Sequence, residues 1–137
     1  MAHNIALARP GACPTAISRA AERAHVAPFA DALPEGLDTM LGDAGLGLSG
    51  GQAQRIALAR IYLRDAGLIL LDEPTAHLDH ELEQAVLDDL KAFARGRTLI
   101  IATHSLAVAA RMDKAWRIAG ETLLPSPLPI RKPRSVA

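Results

Sequence analysis

Two short segments bring together residue types suited to phosphate and metal chemistry. In the first, Leu48-Ser49-Gly50-Gly51-Gln52 opens a stretch expected to be helical. Two glycines at a helix start leave backbone N–H groups unobstructed, and with the positive end of the helix dipole they form an anion site. Ser49 supplies either a hydroxyl donor to that anion or the N-cap of the helix, capping being the commoner role of a serine there. In the second, Leu68-Ile69-Leu70-Leu71-Asp72-Glu73-Pro74, an apolar strand delivers two adjacent carboxylates at its end. That edge is where ligands bind in open α/β sheets. Asp72 suits Mg²⁺, which takes hard oxygen ligands and keeps part of its water shell. Glu73, one residue on, is suited to position and deprotonate a water attacking a phosphoryl group. The alternative is a solvated turn with two acids. It leaves unexplained why both follow a buried strand and why Pro74 then stiffens the exit.

His104 follows the next apolar run, Leu99 to Thr103. In a parallel sheet that edge lies on the side of Asp72 and Glu73, which makes His104 a candidate γ-phosphate contact; otherwise a lone histidine there is structural. His77 and His80 stand at i, i+3 around Asp79, but no further ligands share the spacing, which disfavours a metal site.

Local patterns define the elements that must position these residues. Thr15 can cap a helix running to about His25, with Ile17, Ala20, Ala21 and Ala24 at helical spacing. Pro28 and Pro34-Glu35-Gly36 punctuate the stretch after it, and the glycines at 42, 45, 47, 50 and 51 mark residues 42–51 as loop. A long helix is expected from Ser49 to about Arg64, then a strand over Leu68 to Leu71 of the kind buried on both faces of a parallel sheet. Asp79 stands at an N-cap position with Glu81 and Glu83 in the first turn. Val86, Leu90 and Phe93 repeat at helical spacing, and Lys91, Arg95 and Gly96 close that helix. Leu99 to Ala102 is a second buried strand, Leu106 to Arg111 a short helix, and Lys114 to Ile118 a weaker third strand. The alternation defines an α/β fold with a parallel sheet. Pro125 to Ala137 holds four of the 9 prolines and reads as a flexible, extended tail.

Composition narrows the function classes. The 137 residues balance 15 basic against 15 acidic groups, which argues against a nucleic-acid partner. About a quarter of the residues are Leu, Ile, Val or Phe, enough for a packed core. Cys13 is alone, which excludes an internal disulfide and fits a reducing compartment. No apolar run approaches membrane-span length, and the N-terminus lacks a signal-peptide pattern, so a soluble, cytoplasmic chain is expected.

Leu48 to Arg60, LSGGQAQRIALAR, resembles the signature motif of ATP-binding cassette (ABC) ATPases. LILLDEPTAHLD at Leu68 to Asp79 resembles their Walker B motif, catalytic glutamate and D-loop, and Thr103-His104-Ser105 their switch histidine. The opening Asn4 to Pro10, with Leu33 to Asp38, is similar to the helical subdomain of exporter-type cassettes. The resemblance covers about residues 3–124. It implies a partial P-loop NTPase cassette: a helical signature subdomain over 1–66, a catalytic-edge α/β portion over 67–124, and the tail from 125 to 137. Gln52-Ala53-Gln54-Arg55 and Thr75-Ala76-His77-Leu78-Asp79 are similar to the heterodimeric thiol exporters that serve cytochrome bd assembly.

In such ATPases two cassettes face each other head to tail around two ATP molecules. The resemblance implies that Ser49, Gly50, Gly51 and Gln52 hold the γ-phosphate of nucleotide on the opposite cassette. It implies that Asp72 holds Mg²⁺, that Glu73 is the general base, that His104 clamps the γ-phosphate and that Asp79 communicates across the interface. Its partners would be a second cassette and a transmembrane domain supplied elsewhere, placing the chain at the cytoplasmic face of the membrane.

The family's phosphate-binding loop, G-x-x-x-x-G-K-[ST], is missing: none of Lys91, Lys114 and Lys132 follows a glycine. The sequence resembles a cassette entered just after its Q-loop, without the Walker A strand and loop. Backbone amides and a lysine supply most of the neutralisation of a triphosphate, so the chain alone is expected to be inactive. Three readings stand: part of an exporter ATPase, a non-catalytic remnant completing a partner's site, or a soluble ABC ATPase of another class. The exporter-like segments at 4–10 and 33–38 and the neutral charge argue against the third, and the first is favoured.

Overall fold

The computed structural model describes residues 1–42 and 47–127. Part of the expected glycine loop (43–46, with Gly45) and most of the expected tail (128–137) lie outside the described residues. Six α-helices and four strands succeed one another in the order α1 (Ala2–Ala6), α2 (Pro14–Arg23), α3 (Ala27–Ala30), α4 (Gly50–Arg64), β1 (Leu68–Asp72), α5 (His80–Phe93), β2 (Thr98–Ala102), α6 (Leu106–Ala109), β3 (Ala115–Ala119) and β4 (Thr122–Ser126), among the described residues.

Local chemistry accounts for most boundaries. α2 starts one residue before the expected cap: Cys13 takes the N-cap place and Pro14 leads the helix, so Thr15 does not cap. Proline's fixed φ and missing N–H suit it to a helix's first position. The same tolerance lets Pro28 sit in the first turn of α3, a helix that the sequence reading treats as a break. At the far end of α4, Asp65 adopts a left-handed conformation at φ 55, closing the helix where a glycine is usual.

The chain divides into two compact units, Met1–Ile101 and the residues from Ala102 onward. In the first, α1, α2, α4 and α5 bury Ile5, Ala20, Ala21, Val26, Ile56, Ala59, Leu63, Val86 and Leu90 in one core. Tyr62 of α4 and Phe93 of α5 meet edge to face at 4.9 Å between ring centroids. The Arg60 side chain donates to the backbone oxygen of Asn4 at 2.9 Å, tying α1 to α4. β1 and β2 pair in a small parallel sheet joined by the α5 crossover. At its start the Thr98 N–H donates to the Gly67 carbonyl at 2.9 Å.

In the second unit, Ser105 caps α6 by accepting from the Val108 N–H at 3.3 Å. β3 and β4 form an antiparallel hairpin, with Trp116 opposite Pro125 and Ala119 opposite Thr122. The expected third strand therefore exists, but it builds a separate two-stranded sheet with β4 instead of joining β1 and β2. Pro125 and Ser126, which the sequence reading puts in the tail, are the last residues of β4. A strand at the edge of a sheet accommodates a proline because that position needs no ladder donor.

Candidate functional site

The N-terminus of α4 is built as its sequence suggests. Ser49, extended at φ −69 and ψ 161, accepts from the Gln52 N–H through its hydroxyl, at 3.2 Å. The Gln52 side-chain oxygen accepts in return from the Ser49 N–H at 2.8 Å. This reciprocal capping box satisfies two donors that a helix start would otherwise leave open. Ser49 thus caps the helix with its hydroxyl as acceptor, which leaves the O–H able to donate to an anion beside the first-turn amides of Gly50 and Gly51. Ser49 and Gly50 are exposed, Gln52 is half-buried and Gly51 is buried.

β1 ends on Asp72, exposed at the strand's end, where half-buried Glu73 continues the chain into the turn. Glu73 has φ 44 and His77 φ 65, so two residues of this turn sit in the left-handed region. Non-glycine residues held there cost roughly 1–3 kcal/mol each and persist only where the surroundings hold them, commonly at functional sites. The surroundings here are α4. The Gln54 side-chain amide donates to the Glu73 carbonyl, which also accepts from the Ala76 N–H at 3.1 Å. Behind the turn, buried Thr75 donates its hydroxyl to the Glu83 carboxylate at 3.0 Å.

Asp79 caps α5, accepting from the Leu82 N–H at 2.9 Å. It also addresses α4: burial lowers the Arg55 guanidinium below its ordinary value, and the Asp79 charge opposes that shift. Arg55 itself donates to the carbonyls of Gly51 at 3.2 Å and His25 at 2.9 Å, and lies over the Phe29 ring at 4.6 Å. His80 faces Glu83 at 3.9 Å.

The structure therefore brings Ser49–Gln52, Glu73 and Asp79 together around the first turns of α4, with Asp72 at the strand end beside Glu73. His104 belongs to the second unit, two residues beyond β2. Sequence reasoning weighs His77 as a metal ligand and quotes both Gln54 and His77 in a family resemblance, but places neither in this arrangement. The only local signal for Gln54 is its spacing of four from Gly50, which puts both on one helix face. A cleft of about 610 Å³ lies near the other end of α4, lined in part by Arg9, Arg19, Arg23, Tyr62, Phe93 and Arg97, and shares none of the residues above.

The donor set fits a phosphate and its metal. Two glycine amides at a capped helix start suit phosphoryl oxygens. A single carboxylate at a strand end is the usual protein share of a Mg²⁺ site, the other ligands being water and phosphate.

A profile described as ABC transporter matches residues 8–76, and one for an AAA domain matches residues 46–110. An ATP-dependent lipid A-core flippase of Dechloromonas aromatica is 47% identical over 103 residues, which is 75% of this chain and 18% of that protein. The heterocyst differentiation ATP-binding protein HepA of Nostoc is 43% identical over 111 residues, 81% of this chain and 18% of that one. Among solved structures, a bacterial Atm1-family ABC exporter with ATP bound superposes with a TM-score of 0.78 at 41% identity, over 82% of this chain and 20% of the exporter. The fold and the site define a mixed α/β part of a P-loop NTPase cassette. The chain belongs to the ABC transporter family, and its relatives are of the exporter type. It spans about a fifth of the length of the relatives it matches.

Proposed function

We infer that these residues are the signature and Walker B part of an exporter ATPase, coupling ATP binding and hydrolysis to export across a membrane. The observation that carries this is the docking of the glycine-led start of α4 onto the turn that bears Glu73. One element presents amides to a phosphate and the other presents acids to a metal and a water, as a nucleotide sandwich requires. Ser49, Gly50, Gly51 and Gln52 bind the γ-phosphate of nucleotide carried by a second cassette. Asp72 holds Mg²⁺, which when bound neutralises phosphate charge. Glu73 orients the attacking water and takes its proton, His104 contacts the γ-phosphate, and Asp79 lies at the interface between cassettes. A transmembrane domain completes the exporter, with this chain on the cytoplasmic face. Among the described residues no helix is long and apolar enough to cross a membrane.

In the assembled exporter, Glu73→Gln is expected to retain ATP while turnover falls to background; turnover at the native rate would strip Glu73 of its role. The 137 residues hold no phosphate-binding loop, so this polypeptide alone is expected to give no calorimetric signal with micromolar Mg-ATP. For the cargo we favour a thiol of the cysteine or glutathione class, on Gln52–Arg55 and Thr75–Asp79. The similarity to lipid A-core flippases supports a lipid cargo instead. Uptake of labelled glutathione into inverted vesicles, set against flipping of a lipid A-type lipid, decides between them.

A further inference from the structure

We propose that His77 is a positioning residue for the start of α4, locking the Gly50 and Gly51 amides and the Glu73 turn into one body. Its catalytic consequence rests on the exporter-ATPase reading; its structural part does not.

The contact is close on both glycines. The His77 ring lies against Gly50, with Cδ2, Cγ and Nε2 at 3.1, 3.4 and 3.7 Å from where a Gly50 Cβ would stand. The His77 carbonyl oxygen is 2.9 Å from the corresponding point on Gly51, and a Leu78 methyl carbon is 3.2 Å from it. Any side chain at 51 would meet backbone, and one at 50 would meet a ring. The two glycines therefore serve the approach of this turn as well as that of an anion.

His77 reaches this place only by a left-handed backbone at φ 65. A glycine would form such a turn with less strain but would have no ring to set against Gly50. The other end of the turn is gripped by the same helix face, since Gln54 stands four residues after Gly50 and donates to the Glu73 carbonyl. α4 thus holds the turn at Glu73 and at His77. Moving the first turn of α4 requires moving the Glu73 backbone or breaking the Gln54 bond. In the complete ATPase, the half-site that serves the opposite cassette and the general base that serves this one share a single rigid support.

The test separates ring from backbone. His77→Asn keeps a residue tolerant of the left-handed region and removes the ring. In the 137-residue chain, hydrogen exchange of the bonded amides of Gln52 and Ala53 is expected to quicken at least tenfold in His77→Asn, with the rest of α4 unchanged. Gly50→Ala is expected to lower the urea midpoint in the native background and not in His77→Asn, because its methyl meets the ring. Gly51→Ala is expected to lower it equally in both, because its methyl meets the carbonyl. In the assembled exporter, His77→Asn is expected to raise KM for ATP about tenfold while kcat changes less than threefold, a split that general destabilisation does not produce. Unchanged exchange at Gln52 and Ala53, or a Gly50→Ala effect indifferent to the ring, overturns the proposal. If exchange and the double variants behave as expected but the native exporter has no ATPase activity, positioning stands and the exporter-ATPase reading fails. If His77→Asn does not fold, the proposal is judged by Gly50→Ala alone: exchange at Gln52 and Ala53 must quicken there, and unaltered exchange overturns it.

Discussion

Within the first unit, the helices and the sheet are held by different means. Ile5, Val26 and Leu90 are fully enclosed by α1, α2, α4 and α5, whereas Leu68 and Leu70 of β1 remain 54% and 65% exposed and Ile100 of β2 52%. β1 buries Ile69 on one face and presents Leu68 and Leu70 on the other. An apolar run of that kind belongs to a sheet covered on both sides. The glycine-led helix start therefore rests on a core this chain supplies itself. The two acids stand on a sheet with one open apolar face, and what fixes the Glu73 turn is its grip on α4. The difference teaches that the precision of the acidic half-site is borrowed from the helical half.

The comparison is broken most directly by the largest substitution. Leu90→Ala, in the enclosed core, is expected to cost roughly 2–5 kcal/mol of unfolding free energy in urea titrations, a large share of a typical domain's total. Leu70→Ser on the open face is expected to change it by less than about 0.5 kcal/mol. If the two cost the same, the sheet is covered in solution and the contrast fails. Next comes Gly51→Ala, whose methyl must displace the His77 carbonyl; a loss of about 1–3 kcal/mol is expected, as for overpacking in a tight contact. Asp79→Ala removes the α5 cap and is expected to cost about 1 kcal/mol, read as a drop in thermal midpoint with little change in cooperativity. A neutral Asp79→Ala would show that the segment after the turn is held by its α4 contacts alone.

The parts legible from sequence are those set by chain neighbours. Ser49 three residues before Gln52, Asp79 at the head of an amphipathic stretch, and acids closing an apolar strand all act over one helical turn or one strand, and α4, β1, α5 and β2 form where their patterns place them. The features that escaped reading depend on distant contacts. His77 packs on a residue 27 positions earlier, and its left-handed backbone has no signature in the sequence, because only a few per cent of non-glycine residues adopt that region. Gln54 reads as one more polar position on a helix until its partner carbonyl is known. β4 was obscured by Pro125, since proline argues against a strand unless the strand is an edge, and edges are defined only by tertiary pairing. The Thr15 cap lost to Pro14 for a local reason, the readiness of proline to lead a helix.

The smallest expected effect tests the quality of the helical core itself. Tyr62 is 7% exposed, and its hydroxyl is buried without a hydrogen-bond partner among the described residues. Its ring is well used, edge-on to Phe93 and beneath Arg23 at 5.7 Å, so the imperfection is confined to one oxygen. Removing an unsatisfied buried polar group relieves a desolvation penalty, and Tyr62→Phe is expected to be neutral or to stabilise by up to about 1 kcal/mol. The phenol also gives the chain an alkaline limit. Burial, with the Asp89 charge adding to it, raises the Tyr62 hydroxyl above its ordinary value of 10.0, while Arg23 opposes the shift. Because the folded value is raised, the folded and unfolded forms bind the same proton below about pH 10 and stability there is unaffected. Above it the unfolded chain loses the proton first, and stability falls as pH rises. Tyr62→Phe is expected to lack that alkaline decline while matching the native chain at neutral pH. An identical decline in both proteins would assign the alkaline loss to other groups and leave the helical core, unlike the sheet, without an identified weak point.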